Sequence, residues 1–237
     1  MNSERWFLHW NKFPRDLDDS DLLRQVGKTV NGQPVDDNQI KLIVENLSKK
    51  LSLDSKDDIL DLCCGNGLLT HLIVEQCLCR SVVGIDYSEP LIAIANRIYS
   101  RKNIFFILSS AVSSDWLNEL KGVKYKKILM YEALQHFNQS EFIEILHSIS
   151  RNFGKSCQFF VASIPDKSRI FCFYNTPYRR REYEKRLAAG NEAIGTWWDI
   201  QELSDLAYNS GFKCEIFPQP KGLYTAHYRF DAMLTCL

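Results

Sequence analysis

The chain has 237 residues, of which 45% are hydrophobic and 24% charged, ordinary values for a globular fold and far from those of a disordered one. Its 29 lysines and arginines balance 29 aspartates and glutamates, so no net field draws it to nucleic acid or to an anionic membrane. The first residues, Met1 to Trp6, lack the apolar core of a signal peptide, and no apolar run reaches the roughly 18 residues of a membrane helix, which predicts a cytoplasmic chain. Cys63, Cys64, Cys77, Cys79, Cys157, Cys172, Cys214 and Cys236 sit mostly in apolar runs with no CxxC pair, as reduced, buried thiols do.

The first 55 residues stand apart from the rest and carry Trp6, Phe7, His9, Trp10 and Phe13 close together. Such a segment is either a lid over an active site or an aromatic helix packed on the surface. From Asp57 onward, short β-type runs alternate with helix-length amphipathic stretches, the pattern of a parallel sheet covered by helices. The predicted strands are Asp58–Cys64, Ser81–Asp86, Ile104–Leu108, Lys126–Tyr131 and Cys157–Ile164, whose low charge implies burial on both faces. Ser88 before Glu89-Pro90 and Ser140 before Glu141 read as helix starts.

An insertion from Asp166 to Trp198 interrupts the alternation, and its run from Tyr178 to Arg186 mixes arginines with glutamates as a solvated helix face does. Asp199-Ile200-Gln201-Glu202 reads as a capping box opening a helix that stops at Gly211. Phe212–Phe217 and His227–Leu234 then read as two strands, and the short link between them makes them antiparallel. The chain divides accordingly into 1–55, 56–165, 166–198 and 199–237 within one domain.

The most informative run is Ile59-Leu60-Asp61-Leu62-Cys63-Cys64-Gly65-Asn66-Gly67, a buried strand breaking into a glycine turn that opens a helix. Gly65 and Gly67 remove side chains where a ligand lies against the backbone, and Asp61 sets a carboxylate near the strand end. About 20 residues on, Val82-Val83-Gly84-Ile85-Asp86 ends the next strand on an acid, the spacing at which a carboxylate meets ribose hydroxyls. In these elements the sequence resembles the class I S-adenosylmethionine-dependent methyltransferases that act on small molecules, over roughly residues 40 to 235. The resemblance implies a Rossmann-like α/β sheet of order 3-2-1-4-5-7-6 with an antiparallel seventh strand. It implies S-adenosylmethionine as cofactor, contacts from Asp61, Cys63, Gly65, Asn66 and Gly67, and both ribose hydroxyls on Asp86, with Tyr87, Ser110, Ala111 and Tyr131 nearby.

Two positions depart from that family. Relatives carry glycine where Cys63 stands, which predicts ordinary backbone angles for Cys63, and Ser110-Ala111 replaces the Asp-Ala that contacts adenine. A nicotinamide dinucleotide, and with it an oxidoreductase, is the rival; the missing third glycine, the carboxylate of Asp61 and the terminal antiparallel pair argue against it.

The fourth strand's exit, Met130-Tyr131-Glu132-Ala133-Leu134-Gln135-His136-Phe137, resembles the family loop beside the transferable methyl. His136 there is a candidate general base, or packs beneath the site. Glu132 and His136 lack supporting ligands, so no metal is expected. The insertion offers Tyr174, Asn175, Tyr178, Arg179, Arg180, Trp197 and Trp198 to an acceptor, and Thr225, His227, Tyr228 and Arg229 follow the sixth strand; Tyr174, Arg179, Trp198 and His227 are the chosen candidates. Alternation would put His227 and Arg229 on one face and Tyr228 on the other. The expected reaction is methyl transfer to an oxygen of a small metabolite or sugar, with nitrogen or carbon as alternatives and a non-catalytic binding protein as the other class. Nucleic acid and membrane are not expected partners.

Overall fold

Runs poor in charge and rich in branched side chains have to be covered on both faces, and here they form the middle of a seven-stranded sheet. A computed structural model describes residues 3–120, 122–123 and 125–237. The strands are β1 Asp58–Leu62, β2 Ser81–Asp86, β3 Ile104–Leu108, β4 Lys127–Tyr131, β5 Gln158–Pro165, β6 Phe212–Pro218 and β7 Arg229–Cys236, in the order 3-2-1-4-5-7-6. β3, β2, β1, β4 and β5 run parallel, and β7 pairs antiparallel with both β5 and β6. This is the Rossmann-like sheet that the family resemblance implies.

Period-two alternation sends neighbouring side chains to two cores. Leu60, Leu62, Ile128 and Met130 point into one with the helices α7 Gln139–Phe153 and α10 Ile200–Asn209, while Ile59, Leu129 and Tyr131 point into the other with α3 Asp37–Leu51, α4 Leu68–Cys77 and α5 Glu89–Tyr99. Ser88 caps α5 through the Leu91 amide and Asp199 caps α10 through the amides of Gln201 and Glu202. The predicted start of α7 is shifted: Asn138, not Ser140, is the cap, closing a reciprocal box with Glu141 because its oxygen reaches the third amide of the helix.

The first residues form α1 Ser3–Lys12, a turn of 3-10 helix and the short α2 Leu22–Gln25. The insertion holds the short helix α8 Ile170–Phe173 and α9 Pro177–Ala188, and no residue of α9 is buried. The last strand also differs from expectation. It begins at Arg229, and His227 lies in the turn before it, so the two do not share a strand face. Nor is one face wet: from Arg229 through Leu234 every residue is buried, because β7 lies inside the sheet between β5 and β6.

A bulge in β5 shifts register between Val161 and Ile164, and Ser163 there has φ 63°. Asp231 of β7 holds the bulge. Its fully buried carboxylate accepts from the Ser163 amide at 2.8 Å, from Asn46 Nδ2 at 2.8 Å and from Gln219 Nε2 at 3.2 Å. Replacing Asp231 by alanine strands two buried donors, those of Ser163 and Gln219, at about 1–3 kcal/mol for an unsatisfied group, and frees the half-buried Asn46 amide. Urea unfolding of Asp231→Ala should therefore show a loss of at least about 2 kcal/mol; a loss below about 0.5 kcal/mol would mean that the bulge stands without it.

Candidate cofactor and methyl-transfer site

A cavity lies at the carboxyl ends of β2, β1 and β4, where open α/β sheets bind their ligands. Its floor is Asp61, Cys63, Cys64, Gly65 and Asn66 from the end of β1 and the glycine turn, Asp86 and Tyr87 from β2, and Tyr131, Glu132, Ala133, His136 and Phe137 from β4 and its exit. Its roof is the N-terminal segment, through Trp10, Leu23, Val26 and Lys28.

The roof is fastened by buried polar contacts. Asn66, 1% exposed, donates from its amide to the Leu22 carbonyl at 2.7 Å and to Gln25 Oε1 at 2.9 Å. The Ser88 hydroxyl donates to the Trp10 carbonyl at 2.6 Å, and Lys28 Nζ pairs with Glu132 Oε2 at 2.6 Å. Of the aromatic residues in this segment, Trp10 lies against the cavity. Asn66, expected to face a cofactor, spends its amide on holding this roof.

Burial also sets the ionisation of the floor. Asp86 accepts from the Gly65 amide at 2.9 Å and the Ser88 amide at 2.8 Å, yet burial raises its carboxyl to about 6 against those bonds. Asp61 is raised to about 7, again mainly by burial, although the Thr70 hydroxyl donates to it at 2.6 Å. Glu132 goes the other way: burial opposes its charge, but Lys28 and Arg229 outweigh it and hold the carboxyl below its usual range. His136 drops to about 3, first by burial and then through Arg229, His9 and Arg5, so its imidazole is neutral. Trp6 lies 4.3 Å and Trp10 5.6 Å from the His136 ring centre.

Several predicted residues stand elsewhere. Gly67, φ 76°, does not line the cavity; a Cβ there would meet the Phe106 ring at 2.6 Å and Ala95 at 3.1 Å, so glycine serves close packing of the turn on β3 and α5. At Gly65, φ 58°, the atom a Cβ would strike is Val26 Cγ1 of the roof, at 2.9 Å. Cys63 has φ 62°, contrary to expectation. It adopts the glycine-like angle of the turn at a cost of about 1–2 kcal/mol. Ala111 is buried in the core against helix α6 Trp116–Glu119, and the Ser110 hydroxyl accepts from the Val112 amide at 3.3 Å; neither lines the cavity.

The acceptor candidates are dispersed. Trp198, 1% exposed, is a core residue whose Nε1 donates to the Leu134 carbonyl at 3.2 Å. Tyr174 donates to the Glu192 carboxylate, Arg179 lies 4.6 Å above the Phe173 ring, and His227 is exposed. None of the four lines the cavity, because the insertion packs beside the β4 exit, with the Thr196 amide on the Gln135 carbonyl at 2.7 Å. Lys28, Glu132 and Trp10 do line it and were not singled out as ligands from sequence; the polar stretch around Lys28 has no periodicity or motif to mark it.

Residues 59–154 match the family model described as a methyltransferase domain. The matched stretch, which holds the glycine turn, the acid ending β2 and the β4 exit, is similar to a methyltransferase domain. A 56-residue stretch of it is 43% identical to the uncharacterised methyltransferase C70.08c of Schizosaccharomyces pombe, covering 24% of this chain and 21% of that protein. Among solved structures, the magnesium protoporphyrin IX methyltransferase of Synechocystis PCC 6803 with bound S-adenosylhomocysteine superposes with a TM-score of 0.63 at 13% identity, covering 99% of each chain. The plantazolicin methyltransferase BpumL, in complex with S-adenosylhomocysteine and a triazolic desmethylPZN analogue, does so at 0.66 and 15% identity, over 99% of this chain and 96% of its own.

The cavity fits a nucleoside cofactor on its own chemistry. Asp86 keeps unused lone pairs beside the glycine turn, and the Tyr87 hydroxyl and His136 Nδ1, both on wall residues, are buried without hydrogen-bond partners. A raised carboxyl binds protons in the folded state that the unfolded state releases, so Asp61 lowers stability as pH climbs from about 4 through about 7. Relative to wild type, ligand-free Asp61→Asn should gain stability across that interval in urea titrations at pH 4.5 and 7.5. A difference independent of pH would contradict the raised carboxyl.

Proposed function

We propose that this chain transfers the methyl group of S-adenosylmethionine to an oxygen of a small-molecule acceptor. The observation that carries this is one roofed cavity joining Asp86 and the glycine turn to the β4 exit with His136. When bound, S-adenosylmethionine supplies an electrophilic sulfonium methyl whose departure leaves a neutral thioether. Asp86 receives the ribose hydroxyls, Gly65 gives the backbone close access, and the N-terminal roof acts as a lid that excludes water. His136, neutral and with a free Nδ1, accepts a hydrogen bond from the acceptor hydroxyl and aims it at the methyl.

A partly covered cavity and balanced charge favour a small acceptor over a polyanion. The two similar solved structures are those of methyltransferases named for, or bound to, very different molecules, a magnesium protoporphyrin and a plantazolicin analogue. The choice of acceptor therefore rests on this chain's own groups, and nitrogen or carbon acceptors remain the second possibility.

Calorimetry should show S-adenosylhomocysteine binding, weakened at least tenfold in Asp86→Ala, about 1.4 kcal/mol; tighter binding of NAD would overturn the cofactor assignment. For His136, a pKa of about 3 places the ascending limb of a base far below neutrality. Turnover should thus show no His136-dependent limb between pH 5 and 8, and His136→Ala should lower it by roughly 10² with S-adenosylhomocysteine affinity preserved. Turnover within threefold of wild type would remove His136 from the mechanism.

A further inference from the structure

His136 has little chain of its own to stand on. It ends a three-residue turn of 3-10 helix, Leu134–His136, closed by the His136 amide on the Ala133 carbonyl at 2.9 Å and the Phe137 amide on the Leu134 carbonyl at 3.1 Å. So short a turn has poor hydrogen-bond geometry and leaves carbonyls for other partners, and its shape has to be set from outside.

The outside partner is the end of the insertion. Thr196 donates its amide to the Gln135 carbonyl at 2.7 Å and its hydroxyl to the Phe137 carbonyl at 2.9 Å. Trp198 Nε1 donates to the Leu134 carbonyl at 3.2 Å, so the turn is gripped on both sides of the histidine. Gly195, φ 111°, makes the close fit: a Cβ there would strike the Gln135 carbonyl.

This stretch is itself braced. Glu192, 2% exposed, accepts on its carboxylate from the amides of Ile194 at 2.8 Å and Gly195 at 2.7 Å and from the Tyr174 hydroxyl. Its carbonyl accepts from Arg5 Nη1 at 2.9 Å, and the Arg5 guanidinium lies 4.7 Å from the centre of the Trp6 ring. Trp6 in turn packs on the His136 ring at 4.3 Å. The insertion therefore reaches His136 by two routes, through the backbone of its turn and through the ring that rests on it.

Tyr174, Arg179 and Trp198 of the insertion do not line the cavity, so a service of the insertion to the reaction has to run through a residue that does. We propose that Glu192, Thr196 and Trp198 are positioning residues that aim His136 at the acceptor. The inference rests on the methyl-transfer reading for its consequence. A misplacement of ~1 Å costs on the order of 10²-fold in rate, so a looser grip slows methyl transfer and leaves the cofactor's proposed contacts at β1 and β2 untouched.

The test follows the imidazole signals of the ligand-free full chain by proton–carbon NMR. The chain has five histidines, and the His136 signal is the one lost in His136→Ala. Thr196→Val, which removes the hydroxyl bond to the Phe137 carbonyl, should move or broaden that signal while His71 on α4 keeps its place. Thr196→Ser, which retains the hydroxyl, should restore it. In the turnover assay applied to His136→Ala, Thr196→Val should lose at least about tenfold, with S-adenosylhomocysteine affinity by calorimetry within about threefold of wild type. Where circular dichroism shows Thr196→Val to be unfolded, Trp198→Phe, which removes the donor to the Leu134 carbonyl, is measured in its place. A His136 signal unmoved by the substitution, a shift shared equally by His71, or unchanged turnover overturns the proposal. Wild type that binds no S-adenosylhomocysteine overturns the cofactor assignment instead, and the His136 signal still decides whether the insertion holds the histidine.

Discussion

The site depends on one constraint, the parting of the chain where β1 and β4 lie side by side. After β1 the chain turns to α4 on one face of the sheet, and after β4 it turns to α7 on the other. Two connections leaving in opposite directions cannot fill the space between them, so a crevice opens at the carboxyl ends of the strands. Asp61, Gly65, Asp86, Glu132 and His136 owe their proximity to that departure, although up to 75 residues of sequence separate them.

A crevice of this kind is open to water until something covers it. Here the cover comes from the start of the chain, and its attachment is polar, through Asn66, Ser88 and Glu132. Its apolar contribution is a few side chains, among them Trp10, Leu23 and Val26. An element fastened by a handful of hydrogen bonds opens at less cost than one bonded by an extended core. Covering the crevice also changes its electrostatics. The same loss of water raises Asp61 and Asp86 and lowers His136, whereas Glu132 stays ionised because two cations face it. The cavity is thereby polarised, with weakly ionised acids toward β1 and β2 and a fixed ion pair toward β4.

Much of the sheet was legible because local pattern and global fold agree. Low-charge runs became strands within a residue or two of their expected ends, and Ser88 and Asp199 became the caps their positions suggested. The departures have local physical causes. Asn138 outcompeted Ser140 for the cap of α7 by geometry, and β7 lost its expected alternation because an inner strand has no wet face. The glycine turn was found for a reason only partly right: Gly67 answers to Phe106, and Gly65 answers to the roof as well as to the cavity.

The sequence by itself determined the order of strands and helices, the turn after β1 and the acid ending β2, since each is written in a few adjacent residues with a period or a spacing. Only the tertiary structure decided which polar side chains face the cavity. Trp198 and Ala111, suggestive by position, are packed into the core, and Lys28, in a stretch with no motif, lies in the wall beside Glu132. Periodicity reports which face of an element is buried, but a ligand site is made where elements distant in sequence converge, and the direction of a side chain there is fixed by the backbone it meets on closing.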